Sequence, residues 1–182
     1  MKCIFVLFLW VTLLPGCANP INRVTSDDYA QTCALAERNN RLEVAEEACY
    51  RALVNVDLGN LGDELKSQRL YNLGRIKRQL AKFAEAEQLF KSSLSIEEKL
   101  SPPLSPKVGR RLVELAVSLA GQGKWVEGAQ YLERALPMAE QFSGPERAYL
   151  TQVINEFSGR LSKTEVERFA KAVEQLGVQP AR

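Results

Sequence analysis

Apolar positions along this chain fall into two regimes. Cys3 to Leu14 form a nearly unbroken apolar run behind Lys2. From Asp27 onward no stretch alternates as a strand does; apolar residues recur at helical spacings of three and four, and prolines sit in or beside connecting segments. The helical pattern also repeats. In a middle unit, Leu70, Leu73, Gly74, Ala81, Phe83, Ala86, Phe90 and Leu94 define a series of columns. The same columns hold Leu112, Leu115, Ala116, Gly123, Trp125, Gly128, Leu132 and Leu136 in the next unit, and Tyr29, Thr32, Cys33, Asn40, Leu42, Ala45, Cys49 and Leu53 in the preceding one. A further column runs Ala52, Ser93, Ala135. The period is therefore 42 residues on one side and 41 on the other.

Each period has the character of an antiparallel helix pair. Small residues (Cys33, Gly74, Ala116 on the first helix; Ala45, Ala86, Gly128 on the second) let two backbones approach, and large ones such as Phe90 and Leu132 fill the space between pairs. Asn40, Ala81 and Gly123 mark the tight turn inside each pair. Ser105 followed by Pro106 predicts a helix start, with serine as cap and proline in the first turn; Ser143-Gly144-Pro145 repeats the signature. Pro137 should kink or end the second helix of the third unit. Ser162-Lys163-Thr164-Glu165 fits a capping box opening a last helix to Leu176, so that residues 145–176 form a fourth, degenerate capping pair.

These columns resemble the tetratricopeptide repeat, and the long period with a Pro-rich connector (Ser101-Pro102-Pro103-Leu104-Ser105-Pro106) is most similar to the kinesin-light-chain subtype. Lys77 and Thr32 depart from the usual residues of the repeat. The resemblance implies an all-α solenoid of three helical hairpins and a capping pair. It also implies a concave face that binds extended peptides or partner helices. Tyr71, Arg75, Arg78 and Gln79 of the middle unit and Arg110, Val113 and Val117 of the next should lie on that face. Together they suggest a basic rim beside an apolar strip, suited to a partner segment with acidic and apolar side chains. The bland alternative is solvated arginines and valines covered by the C-terminal cap. Ala30 and Ala34 occupy two places of the Lys/Asn clamp found in chaperone-tail-binding members, which disfavours that partner.

The N-terminal run has the layout of a secretory signal: a positive start, an apolar middle of about 7–15 residues and a small-residue cleavage site. It is shorter than the roughly 20 apolar residues a bilayer span takes. Cys17, directly behind Leu14-Pro15-Gly16, resembles the lipobox cysteine of bacterial lipoproteins. The resemblance implies that Cys17 carries lipid (palmitate) as the new first residue. Ala18 in place of Asp implies sorting to the outer membrane, facing the periplasm. Gly16 and Ala18 also fit an ordinary small-x-small site, which would leave a soluble periplasmic protein. The chain thus divides into a signal (1–16), a lipidated tether (17–26), a solenoid (27–176) and a tail (177–182).

Composition narrows the chemistry. A formal charge of +2 argues against a nucleic-acid binder. With no histidine, Ser–His–Asp, Cys–His and His-ligated metal sites are excluded, and neither a Gly-rich phosphate loop nor Cys-x-x-Cys occurs. Glu46, Glu47, Glu85, Glu87, Glu97 and Glu98 read as solvated charge on exposed helical faces rather than catalytic pairs. No enzyme, cofactor, metal or small-molecule substrate is expected. Cys33 and Cys49 stand symmetrically about the Asn40–Arg41 turn. They are either a disulfide, as an exported chain would favour, or two reduced apolar core residues. The expected role is a membrane-anchored adaptor or assembly factor for an envelope machine such as a pilus, secretion or cell-wall complex. A pilotin-like chaperone and a soluble peptide-binding module are the alternatives.

Overall fold

The computed structural model describes residues 19–162, 167 and 170. Among the described residues seven α-helices are bounded: α1 (Pro20–Arg38), α2 (Leu42–Gly59), α3 (Asp63–Gln79), α4 (Phe83–Leu100), α5 (Pro106–Ala120), α6 (Trp125–Ala135) and α7 (Gly144–Ser158). A 3₁₀ turn, Leu136–Gln141, separates α6 from α7. Helices α1/α2, α3/α4 and α5/α6 are antiparallel hairpins, each stacked on the next, and α7 packs on α5 and α6. No strand occurs among the described residues. The fold is an all-α helical-hairpin solenoid of three repeats.

The turns and contacts follow from the residues in the columns. Asn40, Ala81 and Gly123 all take positive φ (54°, 57° and 78°), so one left-handed residue reverses the chain in every hairpin. At Gly74 a Cβ would lie 2.8 Å from the Phe90 ring, and at Gly128 it would lie 2.9 Å from the carbonyl oxygen of Ala116. These are the close helix approaches that small residues permit. Phe90, Leu112, Leu115 and Leu132 are fully buried. Ser105 caps α5 by accepting from the Lys107 N–H, and Ser143 opens α7 in a capping box with Glu146. Pro137 stands inside the 3₁₀ turn where α6 ends.

One boundary and one burial expectation need correction. Helix α1 begins at Pro20, not Asp27, because Asn19 accepts from the Ile21 N–H and Pro20 presets the first turn. Most of the stretch read as a tether is thus folded, and Ser26 is fully buried with its hydroxyl donating to the Ala52 carbonyl at 2.9 Å. The carboxylates are not all solvated either: Glu87 and Glu97 are buried. The signal 1–16, Cys17 and most of the second helix of the capping pair, Lys163, Thr164 and Glu165 included, lie outside the described residues; of that helix Glu167 and Ala170 are described, both helical.

Cys33 of α1 and Cys49 of α2 are disulfide-bonded across 16 residues of chain. They sit in a small cluster with Ala36, Ala45, Ala48, Leu73 and Ile76. A much larger cluster runs from Ala86 through α5 and α6 to Phe157.

Candidate functional site: the groove of the first helices

The groove is built on the first helix of each unit, and its walls are held by buried polar links. Arg111 of α5 donates to the Ser93 hydroxyl at 2.7 Å and the Ser67 hydroxyl at 2.9 Å, and pairs with Glu97 at 2.9 Å. One repeat earlier, Arg69 donates to Ser26 at 3.2 Å and pairs with Asp27. Burial would raise the Glu97 pKa. Hydrogen bonds from Ser101 and Ser67 and the Arg111 charge more than offset it, so Glu97 titrates below its usual range. Every buried charge here has partners, as burial requires.

Two cavities open between these helices. The larger, about 450 Å³, is lined by Gln68, Tyr71, Asn72 and Arg75 of α3 and by Lys107, Arg110 and Arg111 of α5, with Glu64, Glu97 and Glu146. The smaller, about 250 Å³, is bounded by Tyr71, Arg110, Val113, Phe142, Pro145 and Tyr149, with Glu114 and Glu146. Tyr71, Arg110 and Glu146 line both. The Tyr71 ring leans on Phe90 (5.9 Å between centroids) and carries the Arg111 guanidinium at 5.1 Å. Burial, with Glu114 nearby, pushes its hydroxyl up to about 12. Among the described residues the Tyr149 hydroxyl is buried without a hydrogen-bond partner. An occupant of the smaller cavity could accept from it.

Of the seven groove residues read from the sequence, Tyr71, Arg75, Arg110 and Val113 line these cavities. Arg78, Gln79 and Val117 do not. Arg78 turns to Glu114 of α5 at 2.6 Å, and Gln79 donates to Glu37 of α1 at 2.6 Å. Val117 packs on the large core. The basic rim is also corrected. Arg75 pairs with Glu37, Lys107 with Glu64, Arg110 with Glu146 and Arg111 with Glu97. Three pairs form a ladder between successive first helices: Glu37–Arg75, Arg78–Glu114 and Arg110–Glu146. The arginine charge is met inside the protein, so the groove is charge-balanced rather than basic. Burial of Glu114 raises its pKa against the pull of Arg78. At Glu146 burial is outweighed by hydrogen bonds from Arg110 and Ser143, which hold it at about 2.

Sequence reading missed Glu37, Glu114, Glu146 and Tyr149. The partners of the arginines lie 36 or 38 residues away, off the period of the apolar columns. One signal was available: Ser26/Ser67 and Arg69/Arg111 recur at the repeat spacing. No group of His, Cys, Asp or Glu among the described residues is placed to hold a metal.

A family model, tetratricopeptide repeat, matches residues 67–103. Among solved structures, BtubC (BKLC) from P. vanneervenii superposes with a TM-score of 0.69 at 20% identity, over 88% of this chain and 69% of that one. A kinesin-light-chain-type protein of nearly identical TPR-like repeats from Podosopora anserina gives 0.67 at 15% identity, over 85% of this chain and 74% of its own. A variant of the same protein gives 0.69 at 15%, over 87% and 74%. No curated protein sequence matches.

Proposed function

We propose that this tetratricopeptide-type solenoid, with a recognised repeat at residues 67–103, is a protein-interaction adaptor that takes an extended partner segment in the α3/α5/α7 groove. The observation that carries the reading is the pair of adjoining cavities that share Tyr71, Arg110 and Glu146, one more polar and one more apolar, on a scaffold held by buried ion pairs. Gln68 and Asn72 face the larger cavity with amides able to bond a peptide backbone. Val113, Phe142 and Pro145 offer the smaller one to an apolar side chain, beside the Tyr149 hydroxyl. Because the arginines are paired, recognition rests on shape and backbone hydrogen bonds more than on net charge. An acidic residue in the partner would compete for Arg110 or Arg75 rather than meet a free cation.

The signal-like N-terminus supports location in the cell envelope through lipid on Cys17, at the outer membrane facing the periplasm. In that setting the adaptor would hold one component of an envelope assembly (pilus, secretion or cell-wall machine) close to the membrane. Photocrosslinking from the cell envelope tests the groove. A photoreactive residue replacing Gln68, on the cavity wall, should capture a discrete partner, and one replacing Gln88, exposed on α4, should not. Equal capture from both positions would move the binding surface elsewhere.

A further inference from the structure

The loops between hairpins lie on one edge of the solenoid. Antiparallel pairing puts the starts of α1, α3 and α5 beside the ends of α2 and α4. The Asn19 N–H donates to the Gly59 carbonyl at 3.2 Å, and Lys107 at the start of α5 reaches Glu64 at the start of α3 at 3.2 Å. This edge carries the most exposed large apolar residues of the described chain. Leu58 is 74% exposed, Ile21 73% and Val24 60%, with Leu100 and Leu104 at 50% further along. Ile21 and Val24 are one turn apart on the same face of α1, and Leu58 stands in the last turn of α2 beside them. Leu35, Val44 and Val126, towards the opposite edge, are each less exposed than Ile21, Val24 and Leu58. Along the loop edge Arg23 pairs with Asp27 and Lys66 with Asp57, and Asp63 and Lys99 add exposed charges of opposite sign. The patch of Ile21, Val24 and Leu58 is itself apolar.

The chain enters the solenoid at this same edge. Asn19, the cap of α1, is two residues beyond Cys17. An acyl chain on Cys17 would hold the edge within a few ångströms of the bilayer surface, since two residues span at most about 7 Å. We infer that the loop edge of the solenoid, led by Ile21, Val24 and Leu58, rests in the phospholipid interface and orients the groove. The inference builds on the lipid-anchor reading above. A lipid on a short tether fixes where the domain is but not how it is turned. Apolar side chains sunk at the headgroup boundary add that second contact. The hairpins then stand upright on the membrane, their stacking direction runs along it, and the groove opens sideways to partners in the same plane.

The test uses the full chain purified with its native N-terminus and reconstituted in phosphatidylethanolamine/phosphatidylglycerol vesicles containing brominated lipid. An environment-sensitive fluorophore is placed on Asp63→Cys at the loop edge or on Arg41→Cys at the turn edge. The Asp63→Cys probe should be quenched at least twofold more than the Arg41→Cys probe. Adding Ile21→Asn, Val24→Asn and Leu58→Asn, all at exposed positions, should abolish the difference at an unchanged melting temperature. Equal quenching of the two probes in protein shown by mass spectrometry to carry lipid on Cys17 would overturn the edge inference and leave the anchor intact. An unlipidated N-terminus would overturn the anchor reading itself, and this inference with it.

Discussion

The first and third hairpins share one backbone plan and hold it by different means. In the first, the buried residues clustered at the disulfide are Cys33, Ala36, Ala45, Ala48 and Cys49, and the larger buried side chains of that cluster, Leu73 and Ile76, come from α3. In the third, α5 supplies Leu112, Leu115 and Leu119, all fully buried, and Phe157 of α7 closes over Gly128. Side-chain volume holds the third hairpin together, whereas a covalent link substitutes for volume in the first. The contrast follows from position. Among the described residues the first hairpin has a neighbour on one side only, whereas the third is flanked by α4 and α7, so the first has fewer partners against which to bury large side chains.

The comparison can be broken from either end. Leu115→Ala should cost about 2–5 kcal/mol by cavity formation, read in a denaturant melt. A cost under about 1 kcal/mol would show that the third unit does not depend on volume. Replacing both Cys33 and Cys49 by Ala should cost about 3 kcal/mol, the value for a loop of about this length. Hydrogen exchange should place the added opening in α1 and α2, with protection in α5 unchanged; uniform loss would contradict the contrast.

Acid sharpens it. Burial would raise Glu87, but hydrogen bonds from Lys91, Gln122 and Lys124 outweigh it and hold Glu87, like Glu146, at about 2 in the folded protein. Both groups have folded pKa values below their ordinary ones, so their contribution is present above about pH 4.5 and is lost as pH falls towards 2. Glu114, raised by burial, has the opposite sign and gains from protonation. Glu87→Gln should therefore flatten the acid limb of a stability–pH curve, while an unchanged limb would show that its ion pairs contribute nothing. The smallest effect belongs to the turns. Ala81→Gly should stabilise by about 1 kcal/mol, because alanine bears a left-handed penalty there that Gly123 escapes. No gain in melting temperature would count against the register.

The fold was legible because its determinants are local and periodic: a left-handed turn residue, small residues at close approaches, Ser-Pro helix starts. The start of α1 was not, since the apolar residues of Pro20 to Ser26, Ile21 and Val24, are exposed rather than part of the buried columns, and the turn is held by a capping Asn19 and a buried Ser26 hydroxyl. The groove was legible in part. Helical spacing put Tyr71, Arg75, Arg110 and Val113 on one face, yet it could not show that each arginine has a carboxylate on another helix. Ion pairing between units depends on how one hairpin is turned against the next, and apolar columns alone do not reveal that angle.

The most direct test of the account is capture of a partner from the cell envelope by tagged wild-type protein and by Asn72→Trp. Asn72 lines the larger cavity and is only half-buried, so an indole there fills the groove without opening the core. The account predicts that a partner held by the wild type is lost from Asn72→Trp at an unchanged melting temperature. Undiminished capture by the filled groove would contradict it.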